Sequence, residues 1–401
     1  MIQRDLLPIL LRAAELYPVV TLTGPRQSGK TTLCRQAFPD KPYASLEPLE
    51  TRAFAIQDPR GFLAQFPAGA ILDEVQQTPD LLGYLQDQVD RAPAPGQFIL
   101  TGSQHFGLSQ SISQSLAGRT AILHLLPPSL LELRRFPDAP QDLFSTLFAG
   151  AYPRIHDQNI PPSRWLADYL ATYVQRDVRQ VLKVGDLMAF TTFLRLCAGS
   201  TAQELNLSRL AADAGIRQPT AKAWLSVLEA SFLGFRLPPW HANLRKRWIK
   251  APKFHVFDSG LICHLLGIQS PDQLRTHPLR GAIFESWVAA ECMKAHYHQG
   301  RQPAASHLRE VSGREVDLVI EDGPRLHLIE VKSGQTLDGG WIAPLLSLQQ
   351  DLLTQPGAPT LEPAVIYGGD QQPQTRQGVR ILPWESVAQL GPTEGSRVGW
   401  P

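Results

Sequence analysis

Gly24-Pro25-Arg26-Gln27-Ser28-Gly29-Lys30-Thr31 is the stretch that decides the fold of the first part of this chain. It reads G-x-x-x-x-G-K-T. It lies between an apolar segment, Val19 to Leu22, that predicts a strand, and a segment from about Lys30 that predicts a helix. Glycines let such a loop wrap with its amides inward, and the helix N-terminus adds partial positive charge. That is the cradle a nucleotide phosphate needs: Lys30 would reach the β- and γ-phosphates, and Thr31 would ligate Mg²⁺. Gly24, Pro25, Arg26, Gln27, Ser28, Gly29, Lys30, Thr31 and Thr32 are therefore the expected nucleotide-binding residues. A Gly-rich turn with a surface lysine is the plainer reading. The strand–loop–helix context argues against it.

Working outward, residues 17–126 alternate strand and helix patterns, which predicts a parallel sheet flanked by helices. Tyr43–Leu46 is the expected second strand. Ala70-Ile71-Leu72-Asp73-Glu74 is an apolar run ending in two carboxylates, as a buried parallel strand should look where it meets the ligand edge. Asp73 would hold the metal's hydration shell, and Glu74 would orient the attacking water. The next strand, Phe98-Ile99-Leu100, runs into Thr101-Gly102-Ser103-Gln104. Ser103, with Thr101 as second choice, is a candidate for touching the γ-phosphate or the water. Ordinary turn chemistry explains the same residues. Arg119 precedes a fifth strand, Thr120–Leu125. It is a candidate for sensing phosphate charge, in cis or across a subunit interface, with a structural surface arginine as the alternative.

The 401 residues are 43% hydrophobic and 19% charged, with net charge +1, which suits two or three packed domains and excludes global disorder. Nucleic-acid affinity would have to come from a local patch. No run of 18 apolar residues occurs, so no transmembrane helix is expected. Arg4, Asp5 and Pro8 break the pattern of a signal peptide. Cys34, Cys197, Cys263 and Cys292 are isolated, which argues against a disulfide or zinc framework and fits a reducing cytoplasm.

The phosphate loop, Leu72-Asp73-Glu74-Val75-Gln76, Leu100-Thr101-Gly102-Ser103 and Ser115-Leu116-Ala117-Gly118-Arg119, in this order, resemble a prokaryotic family of AAA+ ATPases. Its members join an AAA domain to a conserved C-terminal domain of unknown function. Gly150-Ala151-Tyr152-Pro153 and Tyr173-Val174-Gln175-Arg176-Asp177-Val178 extend the resemblance, which runs to about residue 335. It implies an AAA+ fold with ATP and Mg²⁺. It also implies homo-oligomers, because AAA+ sites usually form between subunits.

Five regions are expected: an ATPase domain over 1–135, a helical connector over 136–200, a winged helix over 201–270, a nuclease-like domain over 271–390 and a loose tail over 391–401. In the connector, Trp165, Tyr169, Tyr173 and Asp177 recur at helical spacing and read as a packing stripe. The competing view puts Arg154 or Arg176 near a neighbouring subunit's nucleotide. Leu207–Ala214, the turn Gly215-Ile216 and Pro219–Ala230 predict a helix-turn-helix, and Phe232–Leu237 and Lys253–Phe257 predict the strands of a wing. Between Ser231 and Phe257 lie Arg236, Arg245, Lys246, Arg247, Lys250 and Lys253 with no carboxylate, and with Trp240 and Trp248 interleaved. Such an excess is a candidate DNA-phosphate surface, with a protein-interaction wing as the alternative.

A helix over Gly281–His296 and strands over Ser306–Val311, Glu315–Glu321 and Leu326–Lys332 are expected next. Glu285 on the helix, Asp317 on one strand and Glu330-Val331-Lys332 on the next resemble the PD-(D/E)xK nuclease core, without its leading proline. Glu330 and Lys332 share a face by the period of two. In that reading Asp317 and Glu330, assisted by Glu285, chelate Mg²⁺, and Lys332 steadies the water or the scissile phosphate. A sheet edge with a surface ion pair is the plainer account. A helix over Ile342–Leu353 and strands over Ala364–Tyr367 and Val379–Leu382 complete the expected elements. The combined reading is an ATPase whose C-terminal modules engage DNA. An ATP-regulated nuclease and a non-cleaving nucleotide-gated binder stand beside it. A small-molecule kinase is weaker, because Asp73-Glu74 favours water as acceptor.

Overall fold

The computed structural model describes residues 2–103, 115–173, 186–240, 251–310, 313–353 and 359–390. The first sheet is built from β1 (Val19–Gly24), β2 (Tyr43–Ser45), β3 (Ala70–Asp73), β4 (Phe98–Ser103) and β5 (Thr120–His124). Its order is β2-β3-β4-β1-β5, and every pairing is parallel. β1 and β3 are buried along their whole length, which is why they read as continuous apolar runs.

Alternation sorts these strands between two cores. Val19, Ala70, Leu72, Phe98 and Leu100 face helices Leu49–Gln57, Pro59–Ala64 and Leu81–Arg91. Val20, Leu22, Ile71, Ile99, Ala121 and Leu123 face helices Leu7–Leu16 and Lys30–Ala37. Because all strands run the same way, Gly24, Asp73 and Ser103 emerge at one edge, where open α/β sheets bind ligands.

Helices Leu143–Ala149, Pro153–Asp157, Pro162–Tyr173 and Leu187–Gly199 follow. The Gly150-Ala151-Tyr152-Pro153 stretch has a packing reason. Gly150 sits at φ +68°, and a Cβ there would lie 2.3 Å from Asp258 Oδ1, whose carboxylate accepts the Ala151 and Leu261 amides. The aromatic stripe packs as expected: Trp165 stacks on Tyr169 with centroids 5.1 Å apart, and Tyr152 donates to the Tyr169 hydroxyl at 3.0 Å. Asp177 and Arg176 lie outside the described residues.

Helices Leu207–Asp213 and Gln218–Ala230 are joined at Gly215, which takes φ +67°. They pack beside an antiparallel sheet of β6 (Gln203–Glu204), β7 (Gly234–Leu237) and β8 (Lys253–Val256), in the order β6-β8-β7. β6 was not among the expected strands.

The C-terminal part places helix Arg280–Tyr297 against a mixed sheet of β9 (Ala305–Arg309), β10 (Glu315–Asp322), β11 (Arg325–Lys332), β12 (Thr360–Tyr367), β13 (Gln374–Arg376) and β14 (Val379–Pro383). The order is β13-β14-β12-β11-β10-β9. β9, β10 and β11 are antiparallel, whereas β11, β12 and β14 are parallel. Helix Ala343–Leu353 covers the other face of this sheet. One apolar core runs unbroken from Leu130 to Val387, so connector, small sheet and C-terminal sheet pack as one body. Among the described residues, no helix is long and apolar enough to cross a membrane. All four cysteines are buried free thiols.

Candidate functional site

The loop after β1 depends on glycine at both ends. Gly24 has φ +152° and a Cβ would lie 2.2 Å from the Leu125 carbonyl, while Gly29 has φ +94° immediately before helix Lys30–Ala37. Lys30 is buried and folds onto the loop, its Nζ donating to the carbonyls of Pro25 at 2.8 Å and Gly24 at 3.1 Å. Burial lowers its pKa to about 8, against an opposing pull from the Glu74 and Asp73 carboxylates. A cavity of about 700 Å³ opens above the loop. Arg26, Gln27, Thr31, Thr32 and Glu74 line one side of it.

Asp73, at the end of β3, gathers three hydroxyls. Thr31 Oγ1 donates to both carboxylate oxygens at 3.1 Å, the Tyr43 phenol to Oδ2 at 2.8 Å, and Thr101 to Oδ1. Burial first, then the Asp73 bond, pushes the Tyr43 phenol up to about 12. A hydroxyl and a carboxylate side by side at a phosphate loop are the hard oxygen donors Mg²⁺ prefers, so Thr31 and Asp73 fit that ion. Thr101 is fully buried on Asp73. Both candidates lie within β4, which runs on to Ser103, and Ser103 is the more accessible of the two.

Glu74 takes a left-handed conformation at φ 61°, which turns the chain sharply at the strand end. Gln76, on the following single-turn helix Val75–Gln77, donates from Nε2 both to the Glu74 carboxylate and to Ser103 Oγ, the latter at 3.0 Å. It thereby bridges the two residues read from sequence as water-positioning groups. No role was read for Gln76 itself. Its place at the end of the Leu72-Asp73-Glu74-Val75-Gln76 motif was the available signal.

The opposite wall of the cavity comes from the connector. Arg154, Asp157, Trp165, Asp168, Tyr169 and Thr172 line it from helices Pro153–Asp157 and Pro162–Tyr173. Arg154 thus faces the nucleotide loop of its own chain, whereas the competing view of this region put it near a neighbour's nucleotide. Arg4 was also missed. Its guanidinium donates to the Ser28 carbonyl at 2.8 Å, to the Leu126 carbonyl at 2.7 Å and to Glu132 Oε1 at 2.9 Å. Burial alone would raise the Glu132 carboxyl, but His298, at 3.2 Å, and Arg4 hold it well below the ordinary range.

Arg119 lies away from this cavity. It precedes β5, and its carbonyl accepts the amide of Val19, at the start of β1. The loop follows the far end of β1, roughly 16 Å away at about 3.3 Å per residue. The guanidinium pairs with Asp90, Nη2 to Oδ2 at 2.8 Å. A cis contact with the nucleotide is therefore ruled out by strand direction.

The basic stretch divides. Arg236 is paired with Glu229, Nη2 to Oε2 at 2.8 Å, and half exposed. Arg245, Lys246, Arg247 and Lys250 lie outside the described residues. Lys253 is not a surface residue: its side chain is 2% exposed and points into the C-terminal part. It cannot contact DNA phosphates from there.

Two of the three expected carboxylates, Glu285 and Asp317, come together around that lysine, joined by Glu315, for which no role was expected. Lys253 Nζ lies 2.6 Å from Glu315 Oε1, 2.7 Å from Glu285 Oε1 and 3.3 Å from Asp317 Oδ1. A β-bulge between Val316 and Val319 inserts one residue into β10 and breaks the alternation at Asp317. The other Asp317 oxygen accepts the Val331 amide at 2.8 Å. Glu330 pairs with Lys332, as the period of two predicted. Burial, then the Asp317 charge, pushes the Glu330 carboxyl up to about 8, and the Glu285 carboxyl is also raised, by burial first. With an ammonium seated between Glu285 and Asp317, that pair does not fit a divalent ion, and Glu330 stands apart with its Oε2 buried and without a hydrogen-bond partner. Among the described residues, no group of three His, Cys, Asp or Glu side chains is arranged to hold a metal.

The fold and loop define an α/β nucleotide-binding core of the P-loop ATPase class. Residues 16–134 match the family described as AAA domain. Residues 140–272 match a domain of unknown function (DUF8612), and residues 280–387 another (DUF4143). Residues 16–134 are thus similar to AAA domains, which supports ATP binding by this part, and two regions of unknown function follow it. The chain is 29% identical over 404 residues to uncharacterized protein Rv2008c of Mycobacterium tuberculosis, covering 97% of this chain and 85% of that one. Uncharacterized protein Mb2031c of Mycobacterium bovis gives the same figures. The Walker-type ATPase paby2304 of Pyrococcus abyssi overlaps with a TM-score of 0.43 and 15% identity, over 65% of this chain and 94% of that one. A RuvB variant of Thermotoga maritima overlaps with a TM-score of 0.31 and 21% identity, over 58% and 87%. Overlaps this partial carry no functional argument.

Proposed function

We propose that the protein hydrolyses ATP with Mg²⁺, and that its nucleotide state governs how the C-terminal modules engage DNA. The observation that carries the hydrolysis is the convergence of Thr31, Asp73, Glu74, Gln76 and Ser103 at one sheet edge beside Lys30. Lys30 would leave the loop carbonyls for the phosphates. Glu74 would accept a proton from, and orient, the attacking water, with Gln76 and Ser103 fixing its position. Mg²⁺, held by Thr31 and Asp73, would offset charge on the phosphates.

Support for a DNA role is the paired helices Leu207–Asp213 and Gln218–Ala230 beside a small antiparallel sheet, which suit a winged helix. Helix Arg280–Tyr297, antiparallel β9–β11, helix Ala343–Leu353 and parallel β12 suit a PD-(D/E)xK-like fold. The lysine-filled carboxylate centre favours a binding platform over a cutting one. Assembly across subunits with Arg119 in trans belongs to the same proposal.

The test is ATP turnover by wild type and Glu74→Gln, with and without DNA. Loss of turnover with retained ATP binding in the variant, and a change in wild-type turnover with DNA, is the expected pattern. Unchanged turnover in Glu74→Gln would remove the hydrolytic assignment. A wild-type rate indifferent to every DNA added would remove the DNA role.

A further inference from the structure

We infer that Lys253 is the resident cation of the C-terminal carboxylate centre, and that the folded protein holds no Mg²⁺ or Mn²⁺ there. The ammonium has three N–H groups and meets three carboxylates, those of Glu285, Glu315 and Asp317, at 2.6 to 3.3 Å. Its donor capacity is thereby filled. The acceptors come from helix Arg280–Tyr297 and from β10, whereas the lysine comes from β8, in the small sheet. One side chain neutralises part of the acidic centre and ties two modules together.

The cation is built to stay. The Lys253 side chain is 2% exposed, and its β8 neighbours Phe254 and Val256 are buried in the core, which fixes the strand beneath it. β8 pairs on both sides, with β6 and with β7. The nearby groups are partly engaged: Asp317 Oδ2 with the Val331 amide, Glu330 Oε1 with Lys332, and Arg309 near Glu315 Oε2 at 3.7 Å, while Glu330 Oε2 is buried without a hydrogen-bond partner. A divalent ion bound by Glu285 and Asp317 would sit within a few ångströms of a buried ammonium, where solvent screens the repulsion only in part. Buried carboxylates need a paired charge, and Lys253 supplies it without a metal.

The experiment reads Mn²⁺ binding by calorimetry and by its paramagnetic resonance signal in the full-length chain. An Asp73→Asn background removes the phosphate-loop site. In that background, no Mn²⁺ should bind with a Kd below about 1 mM. The Lys253→Met variant in the same background should gain one site per chain, lost again on adding Asp317→Asn. Mn²⁺ bound before Lys253 is changed, and lost with Asp317→Asn, would overturn the inference. So would a folded Lys253→Met chain that gains no site. If Lys253→Met fails to fold, Lys253→Met/Asp317→Asn should recover part of the lost melting temperature, because the unbalanced charge is removed. No recovery would overturn it as well.

Discussion

Arg4 Nη1 donates to the carbonyl of Ser28 at 2.8 Å, so a residue before the first helix holds the phosphate loop from behind. The same guanidinium binds Glu132, beside His298 at the end of helix Arg280–Tyr297. Glu291 of that helix accepts the Leu130 amide at 2.7 Å, and Lys294 donates to the Pro128 carbonyl at 3.1 Å. The loop and the helix that carries Glu285 are thus joined through buried, fully packed polar contacts.

Arg4→Met should expose how much rests on this link. It leaves the Glu132 carboxylate buried with one cation fewer, and breaking a buried pair typically costs about 3–5 kcal/mol. Thermal melting should drop by several degrees, and ATP should bind more weakly because Ser28 loses its tether. Glu132 has a folded pKa below its unfolded one. Its contribution is therefore present above the ordinary glutamate range and lost as pH falls through the lower folded value. Melting of wild type followed from neutral to acid pH should show that loss, and Glu132→Gln should flatten the profile.

Glu74→Gln should bind ATP and lower kcat by roughly 10²- to 10⁴-fold, the range general base catalysis supplies. Gln76→Ala should lower kcat by less, because it removes the bridge to Ser103 and leaves the carboxylate. Single-turnover hydrolysis separates the chemical step from binding. Equal rates for Gln76→Ala and wild type would show that the bridge has no catalytic role.

The pH dependence of ATP binding follows from Lys30. Burial holds its pKa near 8 in the free protein, and a bound triphosphate must raise it. Binding should therefore take up protons near pH 8, and affinity should fall as pH rises above that value. Calorimetry in two buffers of different ionisation enthalpy measures the uptake. Identical apparent enthalpies would contradict it.

The phosphate loop, the Asp73-Glu74 pair and nearly every strand were legible because they are local: glycine spacing, apolar runs and alternation are written in adjacent residues. Arg4, Gln76 and Lys253 were not. Arg4 and Glu132 are 128 positions apart, and nothing in either neighbourhood names the other. Lys253 was misread for a physical reason. It belongs to a basic stretch without carboxylates, which suggests a solvated face, yet its three acidic partners lie 32 to 64 positions downstream. Local charge excess says nothing about charges folded across from it. Asp317 was legible as a residue, but the bulge that breaks the strand alternation there was not.

Two arginines should behave oppositely when truncated. Arg154 lines the cavity from its own chain, so Arg154→Ala should weaken ATP binding at any protein concentration. Arg119 stands at the far edge of the sheet, held by Asp90, and has no path to its own nucleotide. Arg119→Ala should leave ATP binding by dilute protein unchanged, and any effect on turnover should grow with protein concentration. Mixing Arg119→Ala with Glu74→Gln chains tests this directly. If the guanidinium acts on a neighbour's nucleotide, a mixed assembly contains interfaces that carry neither lesion, and part of the hydrolysis returns. If turnover of Arg119→Ala equals wild type at every concentration, or if the mixture shows no recovery, the Arg119–Asp90 pair is a surface contact and nothing more, as exposed pairs usually are.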